Sequence, residues 1–110
     1  MDIKESDWKV FRKLREVALE RYCKRVLQEV RQLVDKESGS THKSYLKLWG
    51  LLRNRDRRLG RAFNNPKRSQ AIVQLTNMVA ENLLTEDELE QFSEETRERI
   101  DLIQELRDRC

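Results

Sequence analysis

His42 is the one histidine of this chain, and nothing around it can turn it into a catalytic base or a metal ligand. A ligand set needs further imidazoles or thiolates at short spacing, and a nucleophile needs a base placed to activate it. His42 therefore reads as a surface residue beside a helix start. Cys23, in the middle of a helical pattern, reads as a core or boundary thiol, and Cys110, the last residue, as a free thiol on a frayed end. Gly39, Gly50 and Gly60 are isolated, so they cannot assemble a phosphate-cradling loop. Residues 86–95 do concentrate carboxylates, with Glu86, Asp87, Glu88, Glu90, Glu94 and Glu95. Paired carboxylates can serve acid–base chemistry or hold a divalent ion, yet acidic side chains in the first turns of helices are favoured by the macrodipole alone. The sequence thus predicts no catalytic residue, no metal site and no cofactor, and a protein that is not an enzyme.

The chemistry the sequence does support is recognition of anions. A net charge of +3 conceals a separation: residues 38–70 hold nine basic residues against Asp56 alone, and residues 71–110 hold eleven acidic against four basic. Within the basic block Arg53, Arg57 and Arg61 stand four apart and share one helix face. Arg55 and Arg58 flank them, and Lys67 and Arg68 extend the block. Like charges at that spacing repel by a few tenths of a kcal/mol per pair, so an anion must offset them. Arginine outnumbers lysine here, which suits bidentate contact with carboxylate or phosphate. The anion expected first is a carboxylate surface. It belongs to a protein partner, to the run at 86–95 of the same chain, or to that run in a homodimer. The alternative is a nucleic-acid backbone. It ranks second because the stretch is short, lacks interleaved exposed aromatics for base stacking, and belongs to a chain whose remaining surface repels phosphate.

Two familiar motifs fail on inspection. A helix-turn-helix can be drawn through the last three helices, with turns at Leu84-Thr85 and Phe92-Ser93. The helix that would enter the major groove is acidic in its first turn, where base contacts are made. The stretch from Leu84 to Leu89 has a superficial likeness to the start of an EF-hand helix, but no twelve-residue loop of alternating oxygen ligands follows.

The elements that would position these residues are helices. Over 6–37, Phe11, Leu14, Ala18, Tyr22, Val26, Val30 and Leu33 recur in steps of three and four, and Val10, Val17, Leu27 and Val34 widen the stripe enough for two neighbouring helices. Arg12 with Glu16 and Glu20 with Lys24 are spaced to pair on its exposed face. Ser38-Gly39-Ser40-Thr41 predicts a reversal, and a second helix follows over 43–63. Its Gly50 and Gly60 imply close helix packing or an early end. Asn65 is expected to cap a third helix over 66–83, with Pro66 in its first turn. Thr85 and Glu88 form a capping box, with Leu84 and Leu89 as a hydrophobic staple, for a short helix over 86–92. Ser93 caps the last, over 94–109. Trp8, Phe11, Trp49, Phe63 and Phe92 are spread over several elements, as anchors to a common core would be.

The expected fold is therefore all-α, a single-domain bundle of about five helices. A long N-terminal helix runs antiparallel to the second, and the other three pack across them. No run of about 18 apolar residues is present, and the polar, acidic start does not read as a secretory leader, so a cytoplasmic protein is expected. The expected function is a helical interaction or regulatory module, alone or as a homodimer, using the surface from Arg53 to Arg68 on an acidic partner. The alternative is a nucleic-acid-associated accessory protein.

Overall fold

Helix α1, Glu5–Asp35, is the longest element of the computed structural model, which describes residues 3–36 and 39–109. The expectations for Glu37 and Cys110 lie outside the described residues. The fold is all-α. After α1 come α2 (Thr41–Phe63), a 3-10 turn (Arg68–Gln70), α3 (Ala71–Ala80), α4 (Glu86–Leu89) and α5 (Glu94–Asp108). At about 1.5 Å per residue α1 is roughly 46 Å long.

Local chemistry sets the boundaries. The reversal into α2 uses Gly39 at φ 82°, and the Ser40 hydroxyl accepts from the Lys43 N–H at 3.1 Å, so α2 begins two residues earlier than its periodicity predicts. The chain between α2 and α3 departs further from expectation. Asn65 is not an N-cap; it sits at φ 49°, a left-handed conformation that asparagine tolerates. Lys67 is extended, so no helical turn forms before Arg68, and Pro66 lies outside α3. The other end of α3 is cut short by a Schellman motif. Asn82 at φ 58° donates to the Val79 carbonyl at 2.9 Å, and the Leu83 N–H reaches the Met78 carbonyl at 3.0 Å. This turn drives Leu83 into the core instead of extending the helix to it.

The capping box at Thr85 and Glu88 is present as predicted, but α4 is a single turn. Past Leu89 the Gln91 and Phe92 N–H groups bond three residues back, to Glu88 and Leu89, so the helix tightens and stops short of Phe92. Ser93 caps α5 by accepting from the Thr96 N–H at 3.3 Å.

The core occupies one end of the molecule. Phe11, Leu14, Ala18 and Tyr22 of α1 are buried against Ala62 and Phe63 at the end of α2, Leu75 and Met78 of α3, and Leu83, Phe92 and Ile100. Beyond Tyr22 the picture changes: among the described residues from 23 to 61, none is fully buried. There α1 and α2 run antiparallel as a two-helix arm. Tyr22 Oη donates to the Arg55 carbonyl at 2.8 Å near its base, and Leu33 and Val34 lie beside Thr41 and Tyr45 at its tip. The arm gives the molecule its 52 Å long axis against 31 and 24 Å across.

Several expectations fail on this arm. Trp49 is 57% exposed and so does not anchor the core, although Phe11, Phe63 and Phe92 do, with Trp8 packed at the edge in a 5.2 Å stack on Phe11. Cys23 is exposed, not a core or boundary thiol. Gly50 and Gly60 lie within continuous helix and answer to neither packing nor termination. Nothing stands within 4 Å of a Cβ position at Gly50, and at Gly60 only the Asn64 side chain does.

Candidate interaction surface

The basic block lies mostly on α2, and helical spacing divides it between two sides of that helix. Arg55 and Arg58 turn inward, toward α1 and the end of α3. Arg55 grips Glu29 of α1 with two guanidinium nitrogens, at 2.7 Å from Nη2 and 3.2 Å from Nε. Arg58 grips Glu81 at the end of α3 with Nε at 2.7 Å and with Nη2. Arg25 of α1 also donates to the Glu81 carbonyl at 2.7 Å, so this one residue ties three helices together. The hydrogen bonds from Arg55 and from Arg58 hold the Glu29 and Glu81 carboxyls below their ordinary pKa against the opposing pull of burial. Arg68, past the end of α2, pairs with Glu5 at 3.0 Å and donates to the Ile3 carbonyl at 2.8 Å.

None of these partners comes from the run at 86–95. Within the chain that run turns elsewhere, with Glu88 on Arg21 at 2.6 Å and Glu95 on Lys4 and Arg99 at 3.6 and 2.9 Å. Arg58 does meet the acidic C-terminal segment, at Glu81, but the expectation that the block pairs with the run at 86–95 inside the molecule is corrected. The carboxylates that do pair with it are Glu29, Glu81 and Glu5, which net charge by segment could not single out.

Arg53, Arg57 and Arg61 lie on the other side of α2, exposed, and among the described residues they form no ion pair; the same holds for Lys67. The row ends at a polar groove of about 470 Å³ lined by Arg61, Asn64, Lys67, Ser69 and Gln74. Gln74 is buried there. Its Nε2 donates to the Asn64 carbonyl at 2.5 Å, while its Oε1 has no hydrogen-bond partner among the described residues. At the other end Trp49 stands one turn before Arg53, with Tyr45 a further turn on at 66% exposure. The absence of exposed aromatics near the block, expected from the sequence, is thus overturned.

His42 is exposed in the first turn of α2. Among the described residues no group of three or more histidine, cysteine or acidic side chains is placed to hold a metal ion, and no helix is long and apolar enough to cross a membrane. The expected pairs Arg12–Glu16 and Glu20–Lys24 do not form. Arg12 lies over the Trp8 ring at 5.9 Å instead.

Sequence reasoning missed three arginines of α1. Arg15, Arg21 and Arg25 donate to the carbonyls of Phe63, Leu83 and Glu81 at 2.7–2.8 Å, meeting acceptors left open where α2 and α3 end. Their positions at the border of the apolar stripe were the only available signal.

Fold and surface together define an all-α protein with a projecting two-helix arm that carries cations without an ion-pair partner among the described residues, next to exposed apolar side chains. No protein-family model, curated protein or solved structure matches the chain.

Proposed function

We propose that this protein is a non-enzymatic helical interaction module whose Arg53, Arg57 and Arg61 row, continued by Lys67, docks an acidic surface of a protein partner. One observation carries the reading. Arg55, Arg58 and Arg68 of the same block are each neutralised by a carboxylate, whereas the solvent-facing row has none among the described residues. Repulsion along i,i+4 positions stays unrelieved until an external anion arrives, and three guanidinium forks on one face suit a helix or strand that presents carboxylates in sequence. The groove at Arg61 and Lys67 extends the surface.

A second reading has one observation in its favour. Trp49 and Tyr45 are exposed beside the row, which supplies the combination of base-stacking rings and phosphate-binding cations used on single-stranded nucleic acid. One titration separates the two. The probes are a labelled helical peptide with glutamate at every fourth position, a labelled RNA and a labelled DNA duplex, each at low and moderate salt. The protein-partner reading expects the peptide to bind, the Arg57→Glu/Arg61→Glu double variant to abolish that binding, and neither nucleic acid to bind. Nucleic-acid binding that falls about 100-fold for a fourfold rise in salt, as four neutralised phosphates require, and that the same variant removes, would put the second reading in its place.

A further inference from the structure

We propose that the apolar face of the arm is a dimer seam, on which two copies of this chain pack their arms end for end into a four-helix bundle. The face adjoins the cationic row at Trp49, one turn before Arg53, and extends away from it across both helices of the arm. It is built from Leu27 and Val34 of α1 and Tyr45, Trp49 and Leu52 of α2, which helical spacing sets on one side of the arm and which are 40–66% exposed. The arm lacks a core of its own, since none of its described residues from 23 to 61 is fully buried. Two helices alone bury too little to hold apolar side chains away from water, and a second pair completes the usual solution.

The extent of the face suits a second copy. Aromatic side chains present about 150–250 Å² each, so Tyr45 and Trp49 leave on the order of 250 Å² uncovered, and Leu27, Val34 and Leu52 roughly as much again. Two such faces bring together about 1,000 Å² of apolar surface, and with a polar rim the total reaches the ~1,200–2,000 Å² of a specific interface.

Shape and charge favour the end-for-end arrangement. Tyr45 at the tip of the arm and Trp49 one turn further along α2 are its most exposed large apolar side chains. Its base carries an apolar depression of about 240 Å³ between Cys23 and Leu27 on α1 and Leu52 and Leu59 on α2. A two-fold axis across the arm lays the tip of each copy on the base of the other, as an isologous contact requires. The border of the face holds both signs: Glu20 and Asp56 near the base, Lys24 beside them, and Arg31 toward the tip, none in an ion pair among the described residues. Such a border selects neither an acidic nor a basic stranger. Turned end for end, Arg31 of one copy approaches Glu20 and Asp56 of the other.

Sedimentation equilibrium of the full chain tests this, with Trp49→Glu and, on the other helix, Leu27→Glu as variants and Arg57→Glu/Arg61→Glu as a control. Both seam side chains are solvent-exposed in the protomer, so helical circular dichroism is retained. The expected result is a dimer whose dissociation constant rises about 100-fold or more in each seam variant and stays unchanged in the control. A chain that stays monomeric at ~200 μM, or a dimer indifferent to both seam variants, would overturn the proposal. Orientation is read in a Cys110→Ser background by oxidative cross-linking through Cys23. An end-for-end dimer keeps the two Cys23 residues apart and gives no disulfide, whereas efficient cross-linking of the dimer would show parallel arms and sink the arrangement.

Discussion

Asp7 is a carboxylate enclosed by protein, 2% exposed in the first turn of α1. It accepts hydrogen bonds from the Ser93 N–H at 2.8 Å, the Ser93 hydroxyl at 2.6 Å and the Thr96 hydroxyl at 2.7 Å, and so ties the start of α1 to the start of α5. Burial pushes its pKa up, but those hydrogen bonds outweigh burial and leave it below the ordinary value. Replacing Asp7 by asparagine sets an amide against these donors and is expected to cost about 2–3 kcal/mol in urea unfolding. Glu88 is held at about 2, chiefly by its hydrogen bonds from Arg21, with burial opposing and the Thr85 cap adding to the shift. Both groups have folded pKa values below their unfolded ones. Their stabilisation is therefore present above the ordinary carboxylate range and is lost on acidification, for Glu88 as pH falls from about 4.5 toward 2. Glu88→Gln is expected to cost about 1 kcal/mol at neutral pH and nothing near pH 2, measured by thermal unfolding across that range. The sequence shows half of this site. Thr85 and Glu88 are three residues apart and declare a capping box, whereas Arg21 lies 67 residues from Glu88 and only the fold brings it there.

At the scale of elements, the helices follow from apolar periodicity, and the two ends of α3 follow from asparagine. Asn65 and Asn82 both adopt left-handed backbone, the first delaying α3 and the second closing it in a Schellman turn. Asparagine is equally at home as a cap or in a left-handed turn, so its identity alone does not say which role it takes. Trp49 illustrates a different gap. Periodicity marks which residues share an apolar face, but not whether the same chain covers that face. On α1 the stripe is fully covered as far as Tyr22; beyond it Val26, Val30 and Leu33 are only partly buried, and Leu27 and Val34 are exposed. The glycines of α2 carry a prediction of their own. Gly50 has ordinary helical backbone and open space at its Cβ position, so Gly50→Ala is expected to stabilise the protein by about 0.5–1 kcal/mol in denaturant unfolding. Gly39→Ala, at φ 82°, is expected to destabilise it by about 1 kcal/mol in the same assay.

Over the whole molecule, the division between a buried end and an uncovered arm sets how stability is distributed. The side chains of α3 and the first half of α1 sit in one core, so their amides exchange only when that core opens. The arm has no fully buried side chain among its described residues and is fastened at its base by the Arg55–Glu29 and Arg58–Glu81 pairs. It can open while the core stays intact. Hydrogen exchange at low protein concentration is therefore expected to show α2 amides in 44–54 less protected than those of α3 by at least ~30-fold, a gap of about 2 kcal/mol. Segregation of charge was visible in the sequence, and so was the surplus of arginine on α2, but which arginines are locked at the arm's base and which are left to solvent depends on the side of the helix facing α1. Concentration supplies the sharper comparison. If two arms form one bundle, raising the protein concentration should slow exchange in the arm and leave α3 unchanged, and Trp49→Glu should remove that dependence. Arm protection that ignores concentration would mean that the two helices hold each other without a second copy.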